Sequence, residues 1–154
     1  HVVNTSSIAG HLTSTSMGPY NASKHAVAAI SETLQQEMLE ADTGVGVTCL
    51  CPGFVATNIV SSERNRPEQL MADRPDLVGA DVGDASSALA DAYAAQMDPA
   101  SVADQVIEAI RTNRFWLFTD DLADDMIRER HADIEAHATP SRRGHLVELM
   151  FGGD

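Results

Sequence analysis

The stretch Val45-Gly46-Val47-Thr48-Cys49-Leu50-Cys51 is rich in β-forming residues and shows no alternation of polar with apolar side chains. A strand wetted on one face alternates, whereas a strand covered on both faces does not. The pattern therefore predicts a buried parallel strand. A long segment of helical spacing precedes it, with Val27, Ile30, Leu34 and Met38 recurring at intervals of three and four. Helix followed by buried strand suits a doubly wound α/β sheet. Pro52-Gly53 ends the strand at its carboxyl edge, where ligands bind in open sheets of this kind.

The other segments fit around that unit. Residues 1–7 read as a strand ending at Ser7, and residues 10–18 as a polar loop rich in Ser and Thr. Gly18-Pro19 opens the long helix, proline being suited to the first helical turn. The apolar stripe should be its buried face, while Ala22, Ala26 and Ala29 keep part of its surface smooth. Asp42-Thr43-Gly44 ends the helix. Residues 59–97 carry Arg, Pro and Gly among scattered acids and read as a surface segment with short helices, one of them over 85–96. Asp98-Pro99 begins a further helix, Asp98 as N-cap, with Val102, Val106, Ile107 and Ile110 on its apolar face. Phe115-Trp116-Leu117-Phe118 is the expected last strand, and a helix follows over 122–137.

Composition narrows the function classes. A length of 154 residues suits one domain, and 44% hydrophobic with 21% charged residues suits a soluble globular chain. A net charge of -13 argues against nucleic acid as a partner, because polyanions repel. No apolar run approaches the ~20 residues that span a bilayer, and no signal peptide opens the chain. Cytoplasmic residence without membrane attachment is the default expectation. Cys49 and Cys51 share one strand face and read as small buried hydrophobes; Cys-x-Cys is not a redox or zinc spacing.

The residues that carry chemistry lie early. Tyr20 and Lys24, in Tyr20-Asn21-Ala22-Ser23-Lys24, stand one helical turn apart on one face. An ammonium beside a phenol favours the phenolate, and a tyrosine so tuned can give or take a proton at ordinary pH. Ser7, in Asn4-Thr5-Ser6-Ser7-Ile8-Ala9-Gly10, could polarise the oxygen that Tyr20 protonates. A Tyr-x-x-x-Lys pair by itself is weak, because any helix can carry one. Joined to the serine motif and to Cys51-Pro52-Gly53-Phe54-Val55-Ala56-Thr57, it is specific.

These three motifs in this order resemble the short-chain dehydrogenase/reductase family. The match is specific from residue 1 to about residue 58 and recognisable again from Met97 to Thr119. The resemblance implies a Rossmann-type doubly wound parallel sheet. It implies an oxidoreductase that moves hydride between NAD or NADP and a small secondary alcohol or ketone. In that reading Tyr20 is the acid/base, and Lys24 lowers its pKa and holds the nicotinamide ribose. Ser7 holds the substrate oxygen. Pro52, Gly53, Val55 and Thr57 line the nicotinamide, and residues 59–97 form the substrate lid. Family members often pair through the helix that follows Pro19, so a homo-oligomer is expected there; packing within one subunit explains the stripe equally well.

The sequence also departs from the family. It contains no glycine-rich dinucleotide loop, which the family carries upstream of the serine motif; Gly44-Val45-Gly46 lacks the third glycine and the helix start. The residues that choose between NAD and NADP, and the tetrad asparagine, are also not found. Residues 1–154 are therefore expected to be the C-terminal part of one domain of a longer protein, with little or no activity alone. The alternative is a non-catalytic remnant or a helix-mediated interaction module that binds no cofactor. Asp120, Asp121, Asp124 and Asp125 with His131 and His137 match no metal-ligand spacing and read as a solvated acidic surface. His25, next to Lys24 but on another part of the helix surface, reads as structural or pocket-lining.

Overall fold

Three parallel strands lie side by side in chain order: β1 (Val2–Thr5), β2 (Val47–Cys51) and β3 (Trp116–Phe118). Val2 pairs with Val47 and Thr5 with Leu50; Cys49 pairs with Trp116 and Cys51 with Phe118. The computed structural model describes residues 1–59, 65, 67 and 94–140. These fall in two compact units, His1–Gly53 with Ala100–Asp154, and Phe54–Pro99. The expected helix over 85–96 and most of the expected lid lie outside the described residues.

Parallel neighbours cannot be joined by a tight turn, so each pair needs a crossover. Helix α1 (Gly18–Glu40) joins β1 to β2, with proline in its first turn as expected. Helix α2 (Pro99–Arg111) precedes β3, and α3 (Asp124–Glu135) follows it. All five residues of β2 are buried, as a strand without alternation requires. Its side chains serve two layers. Cys49 and Cys51 pack with Ala28 of α1 against Phe115, Trp116 and Phe118. Leu50 packs with Leu117 and Ala109, joined by Val3, Val102 and Val106. The helices α1 and α2 thus cover opposite faces, which makes the sheet doubly wound.

The helix faces match the expected stripes in part: Val27, Leu34 and Met38 of α1 are half-buried. On α1 the buried residues are Asn21, Ala28 and Ser31, whereas Ile30 is 62% exposed. Small side chains let the helix approach the sheet, and Ser31 accepts a hydrogen bond from Asn4 Nδ2 at 3.0 Å. On α2 the buried residue is Ala109, with Val102 and Val106 beside it, while Ile107 and Ile110 are exposed. Residues 11–17 form the expected loop, with Leu12 fully buried in it, and Ile8–Gly10 before it form a 3-10 turn.

The three helices among the described residues end alike. Asp42, Asn113 and His137 take positive φ just past the last turns of α1, α2 and α3. Thr43 N donates to Met38 O, Arg114 N to Ala109 O and Ala138 N to Asp133 O. These are Schellman closures, whose left-handed residue is usually glycine. His137 carries a side chain at φ 53°. Replacing His137 by glycine is expected to raise stability by roughly 1 kcal/mol, read as a higher urea midpoint with an unchanged slope. No helix among the described residues is long and apolar enough to cross a membrane.

Candidate active site

The carboxyl ends of the three strands gather the motif residues of the first unit. Ser7 follows β1 and caps the 3-10 turn: its Oγ accepts from Ala9 N at 3.1 Å. The same hydroxyl donates to Pro52 O at 3.5 Å, and Ile8 N donates to Pro52 O at 3.0 Å. The serine turn is thereby tied to the end of β2.

Helix α1 then returns across that edge. Ser6 Oγ donates to Lys24 O at 2.8 Å, which fixes the serine turn against the helix backbone. Gly10 makes the approach possible: a Cβ there would lie 2.9 Å from Lys24 O and would strike Ser6 Oγ. Lys24 Nζ donates to Thr5 O at 3.2 Å and lies 5.8 Å from the centroid of the Tyr20 ring. An ammonium has three donors, so two remain for a ligand. Tyr20 is 38% exposed at the start of the helix.

Gly53 is held from β3. Its N donates to Thr119 Oγ1 at 3.1 Å, and Thr119 Oγ1 donates to Asp120 Oδ2 at 3.0 Å. Asp120 Oδ1 also accepts from Leu122 N at 3.1 Å. Asp120 therefore differs from its acidic neighbours: it props the loop at Gly53 rather than only facing water. Sequence spacing gave no sign of this, because 66 residues separate Gly53 from Thr119. Val55 and Thr57 belong to the second unit, where Val55 bridges Met97, Ala56 N donates to Met97 O at 2.9 Å and Thr57 N to Val55 O at 2.7 Å. Among the described residues no group of three His, Cys, Asp or Glu is placed to hold a metal ion.

The cysteines and His11 form the layer beneath. Cys49 and Cys51 are fully buried with sulfurs 3.8 Å apart. Contact with the Cys49 sulfur, and then burial, push the Cys51 thiol up, so it stays protonated and inert. His11 packs edge-on to Trp116 at 5.0 Å and against Phe118 at 5.2 Å, with Nε2 3.4 Å from Cys51 Sγ. Burial, then the charges of His25, His131 and Arg130, lower its pKa from 6.5 to about 4.

The consequence for stability has a definite sign. Above pH 6.5 the imidazole is neutral folded and unfolded, so stability is unaffected. Between 6.5 and about 4 only the unfolded chain takes the proton, and stability falls as pH falls. Below about 4 both states are protonated and the loss levels off. Discounted for a half-exposed site, the loss is on the order of 1–2 kcal/mol. Chemical unfolding across that range should show the slope, and His11→Leu should flatten it.

The family model described as short chain dehydrogenase matches residues 1–68. The dehydrogenase/reductase of CLA biosynthesis from Lactiplantibacillus plantarum is 26% identical over 152 residues, covering 98% of this chain and 51% of that protein. The 1-deoxy-11-beta-hydroxypentalenate dehydrogenase of Streptomyces exfoliatus is 32% identical over 139 residues, covering 90% and 42%. A crystal structure of a short chain dehydrogenase/reductase from Burkholderia phymatum in complex with NAD superposes with a TM-score of 0.80 and 39% identity, over 94% of this chain and 51% of that one. The chain thus spans about half the length of the relatives it matches. The shared fold is the Rossmann-type α/β sheet, and over residues 1–68 the chain is similar to the short-chain dehydrogenases.

Proposed function

We propose that the native polypeptide carrying this chain interconverts a secondary alcohol and a ketone with NAD or NADP. The observation that carries the reading is the anchoring of Lys24 at Thr5 O, over the Tyr20 ring, on the strand edge where Ser7 also sits. The residues present fit a nicotinamide nucleotide. Lys24 keeps two donors for ribose hydroxyls, and Pro52 and Gly53 close the end of β2 beside Ser7. Val55 and Thr57 would contribute by the family pattern. The neighbour from Burkholderia phymatum was solved with NAD, which supports this cofactor class.

When bound, the nicotinamide supplies or accepts the hydride. The chain's own residues manage the proton. In reduction the Tyr20 hydroxyl gives its proton to the carbonyl oxygen, and in oxidation the phenolate takes one from the alcohol. The Ser7 hydroxyl donates to the same substrate oxygen and stabilises charge that develops there. Its bond to Pro52 O is long, at 3.5 Å, so the proton can be redirected at little loss.

Calorimetric titration of the native polypeptide with NADH and NADPH tests the reading. Saturable binding of one of them is expected, weakened about tenfold or more by Lys24→Met, which removes a charge-assisted donor. Binding of neither would favour a non-catalytic module. The exposed Ile30 and Leu39 on α1 support pairing of two copies through that helix; a monomer by sedimentation would remove that part.

A further inference from the structure

The peptide bond between Pro52 and Gly53 is trans, so its N–H and C=O point in opposite directions. The N–H reaches the end of β3: Gly53 N donates to Thr119 Oγ1 at 3.1 Å. The C=O reaches the end of β1: Pro52 O accepts from Ile8 N at 3.0 Å and from Ser7 Oγ at 3.5 Å. One rigid unit thus spans the strand edge from Thr119 to Ser7. Turning it would break bonds at both ends.

The far end of this series is fixed by a charge. A threonine hydroxyl has one proton. Thr119 Oγ1 accepts from Gly53 N, and its own proton goes to Asp120 Oδ2 at 3.0 Å. Asp120 Oδ1 accepts from Leu122 N at 3.1 Å, which holds the carboxylate in place. Thr119 is buried, and its backbone O accepts from Gln105 Nε2 of α2 at 3.4 Å. Gly53 admits the carboxylate: a Cβ there would lie 2.5 Å from Asp120 Oδ2. Hydrogen bonds in series polarise one another where water is excluded. A carboxylate at one end therefore makes Thr119 Oγ1 a stronger acceptor for Gly53 N. The same polarisation makes Pro52 O a stronger acceptor for the serine turn.

We propose that Asp120 and Thr119 are positioning residues for Ser7, acting through the peptide between Pro52 and Gly53, an assignment that rests on the function proposed above for Ser7. No proton passes along the series. The firm bond from Ile8 N fixes the backbone next to Ser7. The longer bond from Ser7 Oγ leaves the hydroxyl able to turn to a substrate oxygen.

Hydrogen exchange of single amides in the native polypeptide, followed by NMR, reads this coupling without turnover. Thr119→Val removes the hydroxyl and keeps the branched shape. Exchange at the Gly53 and Ile8 amides should speed about fivefold or more, while amides in the middle of α1 stay unchanged. Asp120→Ala should act in the same direction. Thr119→Ser, which keeps the hydroxyl, should restore parent exchange. Turnover then tests the route. Thr119→Val should lower it about tenfold when Ser7 is present, and by less than about twofold in a Ser7→Ala background, because the residue acts through Ser7. Unchanged Ile8 exchange in both variants, or a rise shared equally by α1, would overturn the proposal. So would an equal loss of turnover with and without Ser7, or Thr119→Ser as damaging as Thr119→Val. A polypeptide that moves no hydride with either nicotinamide would overturn the proposed function instead, leaving exchange to decide the positioning.

Discussion

Tyr20→Phe in the native polypeptide is expected to lower turnover by roughly 10²- to 10⁴-fold, the usual contribution of a positioned acid/base. The substitution deletes one oxygen. The phenyl ring stays at the start of α1, and Lys24 Nζ keeps its bond to Thr5 O. Cofactor affinity should therefore change little, because the ammonium that would meet the ribose is undisturbed. The fold should also persist, since the ring is partly exposed and anchors no buried layer. Turnover and cofactor affinity measured together separate a lost proton donor from a lost binding group. Turnover retained within tenfold would remove Tyr20 from the mechanism.

Gly10→Ala, which touches no ligand, is expected to be nearly as damaging. The added methyl would sit 2.9 Å from a backbone oxygen, Lys24 O, and against Ser6 Oγ. A flexible side chain could yield, but a helix carbonyl cannot move without moving the helix. The hydrogen bond from Ser6 Oγ to Lys24 O, at 2.8 Å, would be strained or broken. Overpacking of this kind costs about 1–3 kcal/mol of stability. The helix that carries Tyr20 and Lys24 would also shift away from the turn that carries Ser7. A misplacement of about 1 Å at a reacting centre can lower the rate about 10²-fold. Urea unfolding and steady-state turnover read the two effects separately. A variant with parent stability and parent turnover would show that this close approach positions nothing.

Much of this architecture is legible in the residues, for identifiable reasons. The strand expected over 45–51, observed over 47–51, is readable because burial on both faces removes polar alternation, and Pro52-Gly53 ends it. Helix α1 is readable because Pro19 marks its first turn and Asp42 its close. Which face of each helix is buried is less legible. The expected stripes were Val27, Ile30, Leu34 and Met38 on α1 and Val102, Val106, Ile107 and Ile110 on α2; Ile30, Ile107 and Ile110 are exposed and the others half-buried. Contact with the sheet is made largely through Ala28, Ser31 and Ala109. Close helix–sheet approach selects small residues, and small residues give little hydrophobic signal.

The site divides in the same way. Tyr20 and Lys24 stand out because the proposed chemistry asks for those residue types one helical turn apart, and Ser7 because its serine motif precedes them. Their supports are not. Gly10, Thr119 and Asp120 act through contacts made only after the chain has folded. His11 also gave no signal: its setting comes from Trp116 and Phe118, more than a hundred residues away. Asp120 looks like any other acid in its run until its bonds to Thr119 and Leu122 N set it apart.

The central claim is that the Ser7, Tyr20 and Lys24 edge manages the proton of a nicotinamide-dependent hydride transfer. The most direct measurement uses secondary alcohols deuterated at the carbinol carbon. The native polypeptide is incubated with each alcohol and with NAD or NADP, and the reduced nicotinamide is examined by mass spectrometry. The account predicts deuterium in the reduced cofactor from at least one alcohol, and its loss in Tyr20→Phe. Deuterium absent from the reduced forms of both cofactors, across alcohols of varied size and polarity and in a preparation shown to be folded, would contradict it.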